Sequence, residues 1–576
     1  MEYYDGEPLR HMGNLPSMGA HRYGDKTAIT FMGQETSYAE LESRANSVAN
    51  VLVDNGVEAG DRVGLYIPNT DQFPEAYFGA HKAGAIPVPL NLRMDPNTLE
   101  FVLEDGDVDH VVGSPLLAGG MDTEEGRIVG PTELAERAGV SNVYVSGVSE
   151  GDVVNYSQAT AGADDAFETV DRAFDDVACQ PYTSGTTGKP KGVLLTHENL
   201  LSTIEAYEKG GLPIDPDDSI VLVLPLFHIY ALNAIQGTYL YNGATMHMIP
   251  RPDPDMILRT ISQNEATNFA GVPALYTMMW QTYREDPDAY DMDSLTDVIC
   301  AAAPLADDTR RTIEEAWGVP MTEGWGMTET GPAGTVEPAR GVRKSAGCIG
   351  PALRNVDLKL VDPESRETRI AAADLEPHPD DDIDFSDDEQ VTGEIAIRGP
   401  TVFEGYYNRP EKNDAVFDDW EPPSGSGEPS GEQSDPRDTG WFYTEDIARV
   451  DRDGYFWMVD RADDMIIAGG ENIYPAEVED ALYEHPDVAE AAVVAAPHDI
   501  KGEAPVAYVV LEKDADAAEE DLREFSLDHV ATYAHPRRVF FLDELPRSAT
   551  QKVQRFKLEE DVETRLDGSL GSSEEL

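Results

Sequence analysis

Cysteine occurs only three times in the 576 residues, as Cys179, Cys300 and Cys348. Three widely separated thiols cannot form a disulfide framework, and none has metal-ligand spacing, so they read as inert free thiols. Long apolar runs are missing too. The nearest approach to a membrane span, 220–235, contains Pro225 and His228 and reads instead as a buried strand with its following turn. The first ten residues carry Glu2, Asp5 and Glu7 without a basic start and an apolar stretch, so no secretory signal is legible. A cytoplasmic enzyme is the expectation. Positive charge is the scarcest commodity: 42 Lys and Arg face 110 Asp and Glu, a net of −68. That balance repels phosphate backbones and anionic lipid, which excludes nucleic acid and stable membrane insertion as partners. The acids recur along the whole chain, at 215–218, 380–388 and 514–521 for example. Such spread fits a surface adapted to concentrated salt, and a halophilic source is expected, rather than one patch for a basic partner or a cation store.

What is present is length enough for at least two domains, with a hydrophobic content of 41% that suits a water-exposed globular protein. Segments 38–55 and 72–83 have helical spacing, 61–67 reads as a strand and 85–90 as a short extended piece. The alternation predicts a layered α/β domain with largely parallel sheets. Two stretches, 371–391 and 420–440, read as acidic or Gly/Ser/Pro-rich surface insertions. The pattern changes near Asp460. Beyond it, 475–485 and 519–533 read as helices and 490–496 and 505–512 as strands, a small α+β domain. The expected division is 1–460 for a large N-terminal domain, 461–565 for a small C-terminal one and 566–576 for a disordered tail.

The strongest local signal is Tyr182-Thr-Ser-Gly-Thr-Thr-Gly-Lys-Pro-Lys-Gly-Val-Leu-Leu-Thr-His197. Glycines let backbone N–H groups curl around an oxyanion, hydroxyls add donors and lysines add charge. Only two residues separate Gly185 from Gly188, and Pro190 follows Lys189, so this is not the loop of the P-loop enzymes. The competing reading is a flexible Gly/Thr linker, against which the apolar Val193-Leu-Leu195 provides an anchor.

The segment resembles the phosphate-binding signature of the acyl-adenylate-forming superfamily, which includes acyl-CoA synthetases, luciferases and peptide-synthetase adenylation domains. Further motifs follow in that family's order between Thr27 and Leu558: Gly324-Trp-Gly-Met-Thr-Glu329, Gly393-Glu-Ile-Ala-Ile-Arg-Gly399, Gly405-Tyr-Tyr-Asn-Arg-Pro410, Trp441-Phe-Tyr-Thr-Glu-Asp446, Gly469-Gly-Glu-Asn-Ile-Tyr-Pro-Ala-Glu-Val478 and Leu545-Pro-Arg-Ser-Ala-Thr-Gln-Lys-Val-Gln-Arg555. The resemblance implies a large N-terminal α/β domain, with a small α+β domain on a hinge. It implies ATP and CoA as co-substrates, and Mg²⁺ held at Thr187 and Glu329. Nucleotide contacts are implied for Thr183, Ser184, Gly185, Thr186, Thr187, Gly188 and Lys189, for Ala302, Ala303, Gly324 and Trp325 beside adenine, for Thr328 at phosphate, and for Asp446 and Arg461 at ribose. Lys552 holds the place of the family's catalytic lysine, Asp463 that of the hinge, and Gly470 that of the thiol channel. Glu445 and Gln551 stand where relatives usually carry glycine, and the run Ala301-Ala-Ala303 replaces a glycine-containing one.

The chemistry accounts for these residue types. A carboxylate and the α-phosphate of ATP repel each other, so a site joining them must neutralise and align both. Lys552 bridging the two anions would supply about 3–4 kcal/mol in the transition state. Leu224-Pro-Leu-Phe-His-Ile-Tyr230 resembles the acyl-pocket entrance, with His228 either gating substrate or packed as a core histidine. An Asp binds the amino group in peptide-synthetase domains; here His follows Phe227, which disfavours an amino acid. The walls around Gly271 and 322–330 are small or apolar and suit a fatty or aryl acid, a medium- or long-chain fatty acid foremost. The alternatives are a ligase loading a separate carrier protein, a luciferase-like oxygenase, and a nucleotide-binding regulator without turnover. A homodimer stays open, since nothing in the sequence reads out assembly.

Overall fold

The computed structural model describes residues 8–566 except 124–125, 149–152, 184–188, 211, 303–304, 306, 339–343, 346, 371–384, 386–387, 419–439, 462–463, 469–470, 499–500, 514, 528, 532–533 and 548–552. The two insertions and the tail singled out from composition therefore fall mostly or wholly outside the described residues. The chain divides into two compact units, 1–357 with 397–442, and 358–396 with 443–576. The division falls at 442/443 rather than at Asp460. Strands Phe442–Val450 and Phe456–Arg461 share a sheet with Thr392–Arg398, Asp357–Val361 and Thr368–Ile370, and these residues fall for the most part in the smaller unit.

The larger unit carries an eight-stranded sheet in the order Thr335–Val336, Met321–Trp325, Asp297–Ala301, Asn268–Gly271, Ser219–Leu222, Thr245–Met248, Thr27–Phe31 and Gln34–Ser37. Its internal pairings are parallel and only the two edge pairings are antiparallel. A second, wholly parallel sheet joins Ile86–Pro89, Arg62–Tyr66, Val108–Gly113 and Asn142–Val145. The expected α/β layering with parallel sheets is present. Helix Tyr38–Asp54 shows why: Ser37 accepts from the Glu40 N–H, Glu40 accepts from the Ser37 N–H, and Leu41, Ala45, Val48 and Leu52 are buried at helical spacing. The apolar run 220–235 departs from the expected turn. After strand Ser219–Leu222, Tyr230–Gly237 forms a widened helical segment continued by helix Thr238–Asn242. There Asn233 donates to Leu200 O (3.1 Å) and Gly331 O (2.7 Å), contacts from distant segments that no local pattern encodes.

In the smaller unit, strand Val488–His498 pairs antiparallel with Gly502–Leu511, which pairs in parallel with Arg538–Phe541. Alternate residues feed opposite cores. Ala491 and Val493 meet Val478, Leu482 and Leu522 on one face, while Ala492 and Val494 meet Leu558 and Val562 on the other. Helix Glu519–Leu527 is shorter than the 519–533 expected. Among the described residues, no helix is long and apolar enough to cross a membrane.

Three histidines meet inside the larger unit. The ring centroids of His11 and His197 lie 4.1 Å apart, and those of His81 and His197 lie 5.7 Å apart. His11 Nδ1 accepts from Gly13 N (3.0 Å) and His197 Nδ1 from Met12 N (3.2 Å). Burial, then the cationic Arg172 and Lys82, lowers the His11 pKa to about 4; burial likewise holds His81 and His197 well below the ordinary value. A depressed histidine pKa means that the unfolded chain takes up the proton first. The stability these rings contribute is present above their unfolded pKa of 6.5 and is lost as pH falls toward 4. For His11 alone the difference is worth about 3 kcal/mol. At constant high salt, the urea midpoint of the wild-type protein should fall steeply between these pH values, and His81→Gln should flatten that fall.

Candidate active site

Three neighbouring parallel strands end at Gly271, Ala301 and Trp325, and a fourth, Ser219–Leu222, leads toward His228. Carboxyl ends of parallel strands are where open α/β sheets bind ligands, because loops leaving there are free to diverge. The hydroxyl- and glycine-rich signature is built as a hairpin: Tyr182 pairs with Gly192 and Thr183 with Lys191, while its tip, Ser184, Gly185, Thr186, Thr187 and Gly188, lies outside the described residues. The Tyr182 hydroxyl fixes one side of the stem by donating to Asp105 (3.0 Å). The lysines flank it, Lys189 Nζ being 4.4 Å from the centre of the Phe101 ring and Lys191 Nζ 4.7 Å from that of Tyr406.

The Gly405-Tyr-Tyr segment is laced to this stem. Leu194 N donates to Gly405 O, Glu404 N to Leu194 O, and Tyr407 N to Gly192 O (2.8–3.1 Å). Tyr406 then reaches the next motif, its hydroxyl donating to Glu329 Oε1 at 2.8 Å. Glu329 is only 5% exposed and sits on the single turn Thr328–Thr330, which Phe403 N holds through Glu329 O. Three motifs spread over more than two hundred residues are thus joined by hydrogen bonds. Gly326 has no alternative in this turn, since a Cβ there would fall on the Pro332 carbonyl oxygen. Trp325 is 8% exposed and packs against Gly334, where a side chain would strike its ring.

Ala302 follows strand Asp297–Ala301 with φ +73°, and Glu445 in the smaller unit has φ +63°. Glu445 stands where the resemblance leads one to expect glycine and Ala302 within a run where it expects one, and both retain the left-handed backbone that favours glycine. Ala303 is outside the described residues. Relief of this backbone strain is worth about 1 kcal/mol per residue. Ala302→Gly should therefore raise the unfolding midpoint in urea by a corresponding amount, without a change in slope.

On the acyl side, His228 is half-buried with its ring 4.7 Å from that of Phe227, and its carbonyl accepts from Leu232 N (2.9 Å) at the start of the widened helix. Gly271 faces Tyr276, whose hydroxyl donates to Ile299 O at 2.7 Å.

In the smaller unit, Asp446 and Arg461 are direct neighbours on paired strands, with Arg461 Nε 3.5 Å from Asp446 Oδ1. Asp463, Gly470 and Lys552 lie outside the described residues. The stem of the Lys552-bearing loop is described: Arg547 pairs with Val553, and Gln554 N donates to Pro546 O (2.8 Å). Arginines fasten both legs, Arg547 to Glu490 (2.7 Å) and Arg555 to Glu479 (2.6 Å) and Asp464 (3.5 Å). Asp460, buried beside them, accepts from Ala476 N and has its pKa raised to about 7, chiefly by loss of solvent.

Sequence reasoning passed over Arg310, Glu323 and Glu337. A guanidinium on an acidic helix reads as a solvated charge, yet Arg310 is 4% exposed and holds both glutamates. Only the placement of Glu323 one residue before Gly324 hinted at it.

The layered scaffold and the convergence of loops at its strand ends give the arrangement in which open α/β sheets bind ligands. The AMP-binding enzyme family matches residues 18–407, and the AMP-binding enzyme C-terminal domain matches residues 477–552. The chain is 30% identical over 575 residues to a long-chain-fatty-acid–CoA ligase of Bacillus subtilis (strain 168), covering 96% of this chain and 95% of the relative. It is 32% identical to a feruloyl-CoA synthase of Amycolatopsis sp over 547 residues, 94% and 97% of the two chains. ATP-bound MatB from Rhodopseudomonas palustris superposes with a TM-score of 0.80 at 31% identity, over 95% of this chain and 98% of that one. The chain belongs to the AMP-binding enzyme family and is an acid–thiol ligase, and ATP and CoA as substrates fit that family.

Proposed function

We propose that this ligase activates an uncharged, apolar carboxylic acid, a medium- or long-chain fatty acid foremost, through an acyl-adenylate. The observation that carries the adenylation chemistry is the Tyr406–Glu329 hydrogen bond, which ties a buried carboxylate to the stem of the anion-cradling hairpin. In this reading Thr183, the hairpin tip and Lys189 take the pyrophosphate end of ATP. Thr328 reaches a phosphate oxygen, Ala302, Ala303, Gly324 and Trp325 border adenine, and Asp446 and Arg461 take the ribose. A carboxylate oxygen suits Mg²⁺, which prefers few protein carboxylates and completes its shell with phosphate and water. Glu329 and the Thr187 hydroxyl would hold the ion, which when bound supplies charge neutralisation. The substrate carboxylate attacks the α-phosphorus, the bond to pyrophosphate breaks, and Lys552 stabilises the charge between the two anions. Movement about Asp463 then brings the Gly470 segment to the site. The CoA sulfur attacks the acyl carbon, AMP leaves, and the thiol proton passes to solvent.

The reading is supported by Phe227-His228, where an amino-acid-activating domain would carry an Asp, and by the small and apolar residues around Gly271 and at 322–330. Acid-dependent ATP–pyrophosphate exchange tests it. Across short, medium and long aliphatic acids, hydroxycinnamates and amino acids, the longer aliphatic acids should give the highest kcat/KM and amino acids none. A hydroxycinnamate optimum would overturn the fatty-acid preference while leaving the ligase reading intact. Thioester formation with free CoA, rather than with a carrier protein, separates the two ligase readings.

A further inference from the structure

Glu323 precedes Gly324-Trp325 on strand Met321–Trp325, and Glu337 follows the edge strand Thr335–Val336 that pairs with it. Both carboxylates turn onto one guanidinium. Arg310, from helix Asp307–Trp317, donates through Nη1 to Glu323 Oε1 and through Nη2 to Glu337 Oε2, each at 2.9 Å, and its Nε lies 3.6 Å from Glu314. Backbone groups complete the clasp: Glu323 N donates to Glu337 Oε2 (3.2 Å), Glu337 N to Glu323 O (2.8 Å), and Gly347 N to Glu323 Oε1 (3.2 Å). Arg310, Glu323 and Glu337 are 3–4% exposed. Three charges removed from water are costly to keep, and such a cluster persists where a fixed geometry is worth more than an apolar filling. What this one fixes is the register of the strand that ends at Trp325, with Glu329 four residues further on.

We propose that Arg310 is a positioning residue for the nucleotide, acting through Glu323 and Glu337 to set Gly324-Trp325 for the adenine. This rests on the assignment of Trp325 to the adenine side of the site. The planar fork matters, because two carboxylates diverging from one guanidinium lock two strands at once; an ammonium offers no such fork. Glu323 carries the strand and Glu337 its neighbour, so loss of the fork lets the ends of these strands move without disturbing the acyl wall at Gly271. Burial raises the Glu323 pKa to about 7, in keeping with a cluster that holds more carboxylates than cations.

The experiment uses the full chain in high salt and compares the wild type with Arg310→Met, Arg310→Lys, Glu323→Ala and Glu323→Gln. Pyrophosphate exchange yields KM for ATP and for the acid, and AMP binding is followed by calorimetry. Arg310→Met and Glu323→Ala should raise KM for ATP and weaken AMP about tenfold, with KM for the acid changed less than about twofold. Glu323→Gln, which keeps an oxygen for Arg310 and Gly347, should stay near the wild type, and Arg310→Lys should fall between. A purely structural role lowers the fraction of active molecules and leaves both KM values where they were, and that result overturns the proposal. If Arg310→Met does not fold, Arg310→Lys and Glu323→Ala decide the matter by the same criterion. A wild type without acid-dependent exchange would remove the site assignment itself; normal wild-type exchange with unchanged nucleotide affinity in the variants removes only this inference.

Discussion

Lys552→Ala should stop adenylation while leaving thioester formation from supplied acyl-adenylate close to the wild-type rate. In the first half-reaction two anions must approach to bonding distance, and a lysine between them cancels charge that would otherwise concentrate there. Removing one such contact costs about 3–4 kcal/mol, a loss of about 10²–10³ in rate. In the second half-reaction the electrophile is a neutral acyl carbon and the leaving group is AMP, so the same ammonium has nothing to bridge. Arg547, held to Glu490, and Arg555, held to Glu479, anchor the chain on either side of 548–552 whatever side chain stands at 552. Measuring pyrophosphate exchange and acyl-CoA formation separately on one preparation gives the answer. Equal loss of both half-reactions would contradict the division of labour, and an unchanged exchange rate would contradict the assignment of Lys552.

Transfer from molar salt to dilute buffer should unfold the protein. With a net charge of −68 and 110 acids, self-repulsion is large wherever screening is weak. The buried acids among the described residues are Glu323, Glu329, Glu337, Glu394 and Asp460, a small fraction of the 110. The Debye length is about 3 Å at 1 M salt and about 10 Å at 0.1 M, so neighbouring surface carboxylates ignore one another in the first case and repel in the second. Far-UV circular dichroism across a KCl titration should show a cooperative loss of structure as salt is withdrawn, and sodium sulfate should protect at lower ionic concentration than KCl. Full ellipticity and activity in dilute buffer would remove the reading of the surface as salt-adapted.

The layered α/β plan was legible because helix Tyr38–Asp54 carries its own capping box and apolar stripe, and because strand Arg62–Tyr66 falls within the 61–67 run that reads as extended. The segment Tyr230–Gly237 was not, since its helix depends on Asn233 bonding to Leu200 and Gly331, far away in the chain. The domain boundary was placed at Asp460 because the pattern of helices and strands changes there, whereas the compact units divide between Phe442 and Tyr443, a grouping set by non-local contacts that no local pattern carries. At the site, Glu329 and the hairpin could be named from their motifs, but their link through Tyr406 could not. Ala302 and Glu445 carried a different message: unexpected residues in the sequence, they mark the places where the backbone keeps a glycine-like conformation. Arg310 itself reads locally as a solvated charge, because its meaning is the burial that brings Glu323 and Glu337 onto it.

The most direct measurement is the release and exchange of pyrophosphate by the purified full-length chain in concentrated KCl with Mg²⁺, ATP and a panel of organic acids. The account predicts exchange that depends on the acid, and acyl-CoA with stoichiometric AMP once CoA is added. An enzyme folded under those conditions that exchanges no pyrophosphate with any acid would contradict it.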